Sequence, residues 1–385
     1  MKKLQICIAG KNKIAVEALL HLINNGLKDQ LLVCPNCTDD GKSNWQPSLT
    51  RFAKEFGVRI VDLESAQNIQ DLVFISLEFD KIILPGKFKS RRLYNIHFSK
   101  LPAYKGMYTS ALPILHGATA SGVTLHKIDH GIDTGPIIAQ AVFDLPKNCT
   151  ARDLYFLYMG YGLALFRENL DLILGDPFPA GCPQRAEGSS YFSKKSLNYN
   201  SLCINLQDTA EGVVRQLRAF SFREYQSPVV AGMEVGDWEI SSQRSSRKAG
   251  SYEYLDDDKV KVSTVDFDLI LSRCVHWEWF GVTAKTNNSV LKKLDGININ
   301  IRDVHGWTPL IKAVWRGDLN LCRILLNFGA DPNVCNMNGT TPAMYAYSNN
   351  KPTRSSVIEL LIEHGADIGR KDFFGKSIVD YHSIN

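Results

Sequence analysis

Through its first half the chain alternates short apolar runs with helical periodicity, and that alternation restricts the fold more than any other feature. LQICIAG reads as a strand and KIAVEALLHLINNG as an amphipathic helix ending at Gly26, where a positive φ is tolerated. LLVCP is a second strand, QPSLTRFAKEFG a helix and VRIV a third strand; DLVFISL and RRLYNIHF continue the series as further strands. Strict alternation of this kind predicts an open parallel sheet with helices on both faces. SGVTLHKI and GPIIAQAVFDL extend the sheet, and TARDLYFLYMGYGLALFRENLDLIL is a long helix stopped by Gly175, Pro177 and Pro179. Residues 1–190 are thus expected to form one α/β domain.

A chain of 385 residues is too long for one ordinary domain. Residues 191–265 carry short alternating strands (SPVVAGMEV, WEISSQ, SYEYL, KVKVSTV) and a stretch, SSQRSSRKAG, suited to an exposed hairpin loop. One helix, DTAEGVVRQLRAF, precedes them, with Asp208 or Thr209 able to cap it. The tail, taken as residues 266–385, repeats itself. Gly306 and Gly339 are 339 − 306 = 33 positions apart, and Gly339 and Gly375 are 375 − 339 = 36, with the extra residues near NNKPT. That period, with G-x-T-P, a central apolar helix pair and a G-A-D ending, resembles ankyrin repeats, and LKKLDGININIRDVH looks like the end of a degenerate first repeat. Such repeats bury their apolar faces by stacking.

Composition removes several classes. Hydrophobic residues at 44% and charged residues at 22% exclude a disordered or collagen-like chain. A net charge of +4 is too small to drive nucleic-acid binding. No apolar run approaches the ~20 residues of a membrane helix, and MKKLQICIAGKNK lacks the apolar core of a signal peptide. Nine cysteines without framework spacing suit reduced thiols, so a cytoplasmic protein is expected.

The chemistry concentrates in NIHFSKLPAYKGMYTSALPILHG and SGVTLHKIDHGIDTGPIIAQ. Asn95 and His97 are two positions apart on a predicted strand and so share a face. They lie near its carboxyl end, where open α/β sheets place their sites. Asp133 sits in a glycine-bounded turn, GIDTG, able to present its carboxylate to a neighbouring strand. An amide, an imidazole and a carboxylate together suit acyl transfer to an amine. The imidazole takes the amine proton, the carboxylate orients and charges it, and the amide stabilises the developing oxyanion.

Asn95-Ile96-His97, then Ser99-Lys100-Leu101-Pro102 with Gly106, then Asp133-Thr134-Gly135, with SGVTLH between, resemble the folate-dependent formyltransferase family. The resemblance implies a Rossmann-like domain and Asn95, His97 and Asp133 as the catalytic trio. It also implies N10-formyltetrahydrofolate as cosubstrate, with Phe79, Asp80, Asp129 and Ile132 as pterin-binding positions and no metal. The segment HFSKLPAYKGMYTSALPILHG, the absence of an F-G-T-P opening and the ankyrin tail are most similar to the sugar nucleotide N-formyltransferases of the dTDP-3-amino-3,6-dideoxyhexose type. Likeness to that branch implies formylation of a dTDP-amino-dideoxyhexose, on the 3-amino group, for O-antigen or lipopolysaccharide synthesis by a homodimer.

The same resemblance implies substrate positions. Tyr104, Lys105 and Met107 would line the sugar pocket, Arg218 would meet a pyrophosphate as a forked cation, and Phe220 or Phe222 would stack on thymine. An inward-packed reading of the two phenylalanines stays open beside it. Trp307, after the glycine of G-W-T-P-L, is either tolerated surface or part of a second small-ligand site on a module that otherwise binds a protein partner. Three rival functions stand beside this one: a methionyl-tRNA formyltransferase-like enzyme, an ankyrin scaffold with a vestigial enzyme half, and a folate deformylase.

Other signals are set aside. Cys34-Pro-Asn-Cys37 has no second pair at zinc-finger distance. His276-Trp277-Glu278 has no P-C-x-x-C after it, and the Trp277–Trp279 pair reads as core packing. Gly41-Lys42-Ser43 and Gly375-Lys376-Ser377 lack the first glycine of a phosphate-binding loop, and no G-x-G-x-x-G succeeds the first strand.

Overall fold

Between Gln5 and Gly10 the first strand, β1 (Gln5–Gly10), has only Ile, Cys, Ile and Ala, all with no exposed surface. Strands buried on both faces read as unbroken apolar runs, which is what a parallel sheet between helices requires. In the computed structural model, residues 4–43, 45–199, 202–222, 224–274, 299–300, 306–336, 338–349 and 351–382 are described. The chain divides into two compact units. The first comprises Met1–Pro113, Ala118–Lys147 and Leu157–Asn198, and the second Ile114–Gly117, Asn148–Phe156 and Tyr199–Asn385.

The first unit is built on a seven-stranded sheet. Its members are β1, β2 (Leu31–Pro35), β3 (Arg59–Ile60), β4 (Leu72–Leu77), β5 (Arg92–His97), β7 (Ala120–Lys127) and β8 (Ile137–Asp144), in the order β3-β2-β1-β4-β5-β7-β8. A separate two-stranded pair joins β6 (Lys105–Gly106) to β9 (Tyr191–Phe192). The first five strands are parallel, as the alternation predicts; β7 and β8 are antiparallel extensions. Helices α1 (Asn12–Asn24), α2 (Leu49–Glu55) and α3 (Leu63–Gln67) lie in the crossovers, and α4 (Leu112–Leu115) precedes β7. Ser48 and Asp62 cap α2 and α3 by accepting from Arg51 and Ser65 amides. The predicted long helix is two helices, α5 (Ala151–Glu168) and α6 (Leu170–Leu174). Asn169 lies between them, its side-chain amide donating to the Leu165 carbonyl at 2.8 Å.

In the second unit, Thr209 and not Asp208 caps α7 (Ala210–Phe220), accepting from the Gly212 amide. The strands β10 (Val229–Val230), β11 (Met233–Arg244), β12 (Tyr252–Tyr254), β13 (Lys259–Ser263) and β14 (Phe267–Arg273) form an antiparallel sheet in the order β10-β11-β14-β13-β12. Two boundaries expected from sequence are corrected here. GMEV and WEISSQR are one bulged strand, so the hairpin loop begins only after Arg244. The β-rich region also runs past residue 265, because β14 pairs with both β11 and β13 and completes the sheet's centre.

The repeats carry helices at Pro309–Arg316, Leu319–Asn327, Pro342–Ser348, Arg354–Glu363 and Ile378–His382. In G-x-T-P, threonine is the cap and proline the first helical residue: Thr308 accepts from the Ile311 amide and Thr341 from Met344. Leu310, Ala313, Val314, Leu325, Ala346, Leu360 and Leu361 form one shared core. Asn300 bridges forward, donating to the Gly329 carbonyl and accepting from Asp331 N–H; Asn333 does the same to Gly365 and Asp367 one repeat later. Asn300 thus gives the degenerate first repeat the same staple as the next. Apart from Ile299, the rest of that segment, and His276 to Trp279, lie outside the described residues. No helix among the described residues is long and apolar enough to cross a membrane.

Candidate active site

Register brings the site together. β5 runs antiparallel to β7, with Asn95 opposite His126 and His97 opposite Thr124. Chain direction then reverses through Asp129–Gly135 into β8, which carries Asp133 back over the ends of β5 and β7. The turn is held by its own side chains. Asp129 Oδ1 accepts from Gly131 N–H at 3.1 Å and from the Thr134 hydroxyl at 2.7 Å. Asp133 adopts φ +54°, a left-handed conformation that non-glycine residues seldom hold. At Gly135 a Cβ would lie 1.8 Å from the Lys127 carbonyl oxygen, so only glycine lets the chain pass there.

Four side chains converge. Asn95 Nδ2 donates to Asp133 Oδ1 at 3.3 Å and to His126 Nε2 at 3.1 Å. His97 Nδ1 lies 3.4 Å from Asp133 Oδ2, and His126 Nε2 lies 3.6 Å from Oδ1. The Gly106 amide donates to Asp133 Oδ2 at 2.9 Å. Each imidazole's proton placement is set by what it faces. His126 Nδ1 is 2.8 Å from the Lys127 carbonyl, which only accepts, so Nδ1 carries hydrogen and Nε2 accepts from Asn95. His97 Nε2 is likewise 2.8 Å from the Tyr104 carbonyl, which leaves the Nδ1 lone pair beside the carboxylate.

Burial lowers the His97 imidazole below its ordinary value; Asp133 and the Tyr104 carbonyl pull it back up, and His126 lowers it further. For Asp133, burial pushes the carboxyl up, but His97, His126 and the Gly106 amide outweigh it and hold the group far below the usual carboxylate range. These directions compete, because the His97 part of that attraction exists only when His97 is charged. Burial decides: near neutral pH the pair is an ionised Asp133 beside a neutral His97.

Of the expected positions, Asn95, His97 and Asp133 meet. Tyr104, at φ +58°, contributes its carbonyl to His97 and stacks its ring on Phe192, with centroids 5.7 Å apart. Lys105 is buried, its ammonium donating to Ser189 Oγ at 3.0 Å, whereas Met107 is exposed. Phe79 packs edge-on against Phe74 in the apolar cluster of β1, β2 and β4, and Asp80 accepts from the Cys37 amide and thiol. Ile132 is exposed at the turn's tip.

Arg218, Phe220 and Phe222 belong to the second unit. Phe220 and Phe222 are 5% and 6% exposed, and Phe222 packs against Tyr155 and Tyr225, the inward-packed arrangement that stood beside thymine stacking. Trp307 lies in an aromatic cluster with Trp315 and Tyr345, at 5.9 and 4.9 Å.

Two residues of the site, His126 and Gln184, are absent from the sequence-based set. His126 is legible as the last residue of SGVTLH, in the strand after the N-x-H strand. Gln184, whose Nε2 donates to the Asp133 and Gly135 carbonyls at 2.8 Å each, has no local signal.

Comparison with known proteins decides the family. A formyl transferase family matches residues 66–157, and a family of ankyrin repeats in three copies matches residues 280–372. The N-formyltransferase from Helicobacter canadensis, solved with folinic acid and dTDP-3-aminofucose, is 40% identical, with a TM-score of 0.65 over 71% of this chain and 100% of that one. The chain belongs to the sugar N-formyltransferases. WlaRD, a sugar 3N-formyl transferase solved in the presence of dTDP and 5-N-formyl-THF, is 41% identical, with the same TM-score over 71% of this formyltransferase and 98% of its own chain. The methionyl-tRNA formyltransferase of Clostridioides difficile (strain 630) is more distant, 27% identical over 56% of this chain and 71% of its own.

Proposed function

We propose that this enzyme transfers the formyl group of N10-formyltetrahydrofolate to the 3-amino group of a dTDP-linked amino-dideoxyhexose, with Asn95, His97 and Asp133 as catalytic residues. The observation that carries the reading is the Asp133 carboxylate within 3.4 Å of the buried His97 imidazole and within 3.3 Å of the Asn95 amide donor. The Helicobacter canadensis enzyme and WlaRD, solved with dTDP-3-aminofucose or dTDP and with formylated folates, support the substrate class. Cytoplasmic location, a homodimer and a role in supplying O-antigen sugars belong to the same proposal. So does a second small-ligand site around Trp307.

His97 acts through Nδ1. Its Nε2–H is committed to the Tyr104 carbonyl, so the free lone pair faces the space beside Asp133. As the sugar nitrogen bonds to the formyl carbon, Nδ1 takes the ammonium proton, and Asp133 pairs with the imidazolium so formed. Asn95 turns an amide hydrogen from Asp133 to the formyl oxygen as that oxygen gains charge. His97 then returns the proton to the departing folate nitrogen as its bond to the formyl carbon breaks.

The pH dependence tests this assignment. The base works only when neutral, and burial lowers its titration below 6.5. Activity is therefore retained at neutral pH and lost on acidification through a midpoint under 6.5. Asp133 raises His97, so in Asp133→Ala the residual activity should show that limb at still lower pH. A limb set by the sugar ammonium stays put between the two proteins. An acid limb that neither lies below 6.5 nor moves in the variant would contradict His97 as base. Steady-state rates on paired dTDP-3-amino and dTDP-4-amino sugars check the position of the amine; faster turnover of the 4-amino sugar would overturn the 3-amino assignment.

A further inference from the structure

We propose that Gln184 is a positioning residue for formyl transfer, clamping the Asp133 turn from a strap, Cys182–Phe192, that also fixes the loop behind His97. The proposal rests on the reading of Asp133 as catalytic.

Gln184 Nε2 donates to the carbonyls of Asp133 and Gly135, 2.8 Å each. These two carbonyls bracket Thr134, so one amide sets the path of the turn on both sides. Its orientation is fixed by chemistry: turned over, Oε1 would face two acceptors. Oε1 itself is buried and accepts no hydrogen bond among the described residues, so the two donated bonds alone hold the group. They act where the backbone needs holding, because Asp133 sits at φ +54°.

The strap is anchored at both ends. Cys182 and Ile137 exchange both backbone hydrogen bonds, at 2.7 and 2.8 Å. At the other end Ser190 Oγ accepts from the Tyr104 amide at 2.8 Å, the Ser190 carbonyl from Lys105 N–H at 2.9 Å, and the Phe192 carbonyl from Met107 N–H at 2.8 Å. Tyr104 is the residue whose carbonyl orients His97, and Gly106 is a direct donor to Asp133. One segment therefore sets both the carboxylate and the imidazole. Gln184 is its only side-chain link to the Asp133 turn among the described residues.

Gln184→Leu keeps much of the volume and removes both donors. Its kcat should fall about 10²-fold, the usual effect of displacing a reacting group by about an ångström, while KM for folate and sugar stays near wild type. Gln184→Glu is the diagnostic variant. Burial and the two facing carbonyls raise the titration of the introduced carboxyl, and above that titration its carboxylate faces two acceptors and kcat falls at least as far. Once protonated it regains one O–H donor, so the ratio of variant to wild-type kcat rises as pH falls. A residue that only supported folding would give no such acid rescue, and thermal melts of both variants establish that they are folded. Wild-type kcat in Gln184→Leu, or a flat ratio in Gln184→Glu, with Asp133→Ala strongly impaired, overturns the positioning role and leaves the catalytic reading standing. Near-wild-type activity in Asp133→Ala overturns both.

Discussion

Replacing His97 with alanine lowers kcat/KM for formyl transfer by about 10²–10⁴-fold, the worth of a positioned general base. Between the two imidazoles of the site, His97 is the one that can take the amine proton, since His126 has its Nδ1–H on the Lys127 carbonyl and its Nε2 occupied by Asn95. Asp133→Ala should cost a similar factor. It removes the charge that stabilises the imidazolium and the acceptor that holds Gly106. Folding survives both changes, because the trio sits at strand ends while the apolar interior lies between Ile6, Ile8, Phe74 and their neighbours. Steady-state rates at saturating folate, with a melting curve for each variant, check this; wild-type kcat/KM in a folded His97→Ala protein would remove His97 from the chemistry.

Asn95→Ala should reduce kcat by about 10²–10³-fold, the loss seen when an oxyanion donor is deleted. The expected pattern is a fall in kcat with little change in KM, because the amide serves developing charge more than the bound ground state. Asn95 also donates to both His126 and Asp133, so part of the loss reflects a less well-held carboxylate. Asn95→Asp separates the two effects. It keeps the size but sets a carboxylate near Asp133 and the developing oxyanion, and should be at least as inactive as alanine. A rise in KM with unchanged kcat would show that Asn95 binds substrate and does not stabilise charge.

The parts of the fold that arise from local pattern are readable in the sequence. β1 and β4 stand out as largely apolar runs, the repeats by their period, and the trio by two-residue spacing on a strand and a glycine-bounded turn. Parts that depend on partners far along the chain are not. β14 is assigned to the repeat tail by sequence because nothing in DFDLILSR says that it lies at a sheet's centre. The spacing of Phe220 and Phe222 fits a ligand face and an inward-packed face alike, and their burial in the second unit is not encoded in that spacing. The side chain of Tyr104 is the part expected to serve a sugar. Its backbone carbonyl matters first, and no side-chain pattern encodes a left-handed residue aimed at an imidazole. Gln184 lies about fifty positions from Asp133 in an irregular segment, so hydrogen-bond topology alone identifies it.

The central claim is tested most directly by tracing the formyl carbon. The protein is incubated with isotope-labelled N10-formyltetrahydrofolate and a dTDP-3-amino-dideoxyhexose, and the labelled carbon is located by NMR. The account predicts the label in an amide on the sugar nitrogen, formed at a rate that His97→Ala lowers by about 10²–10⁴-fold. Label released as free formate, with the sugar amine untouched, would identify a deformylase and contradict it.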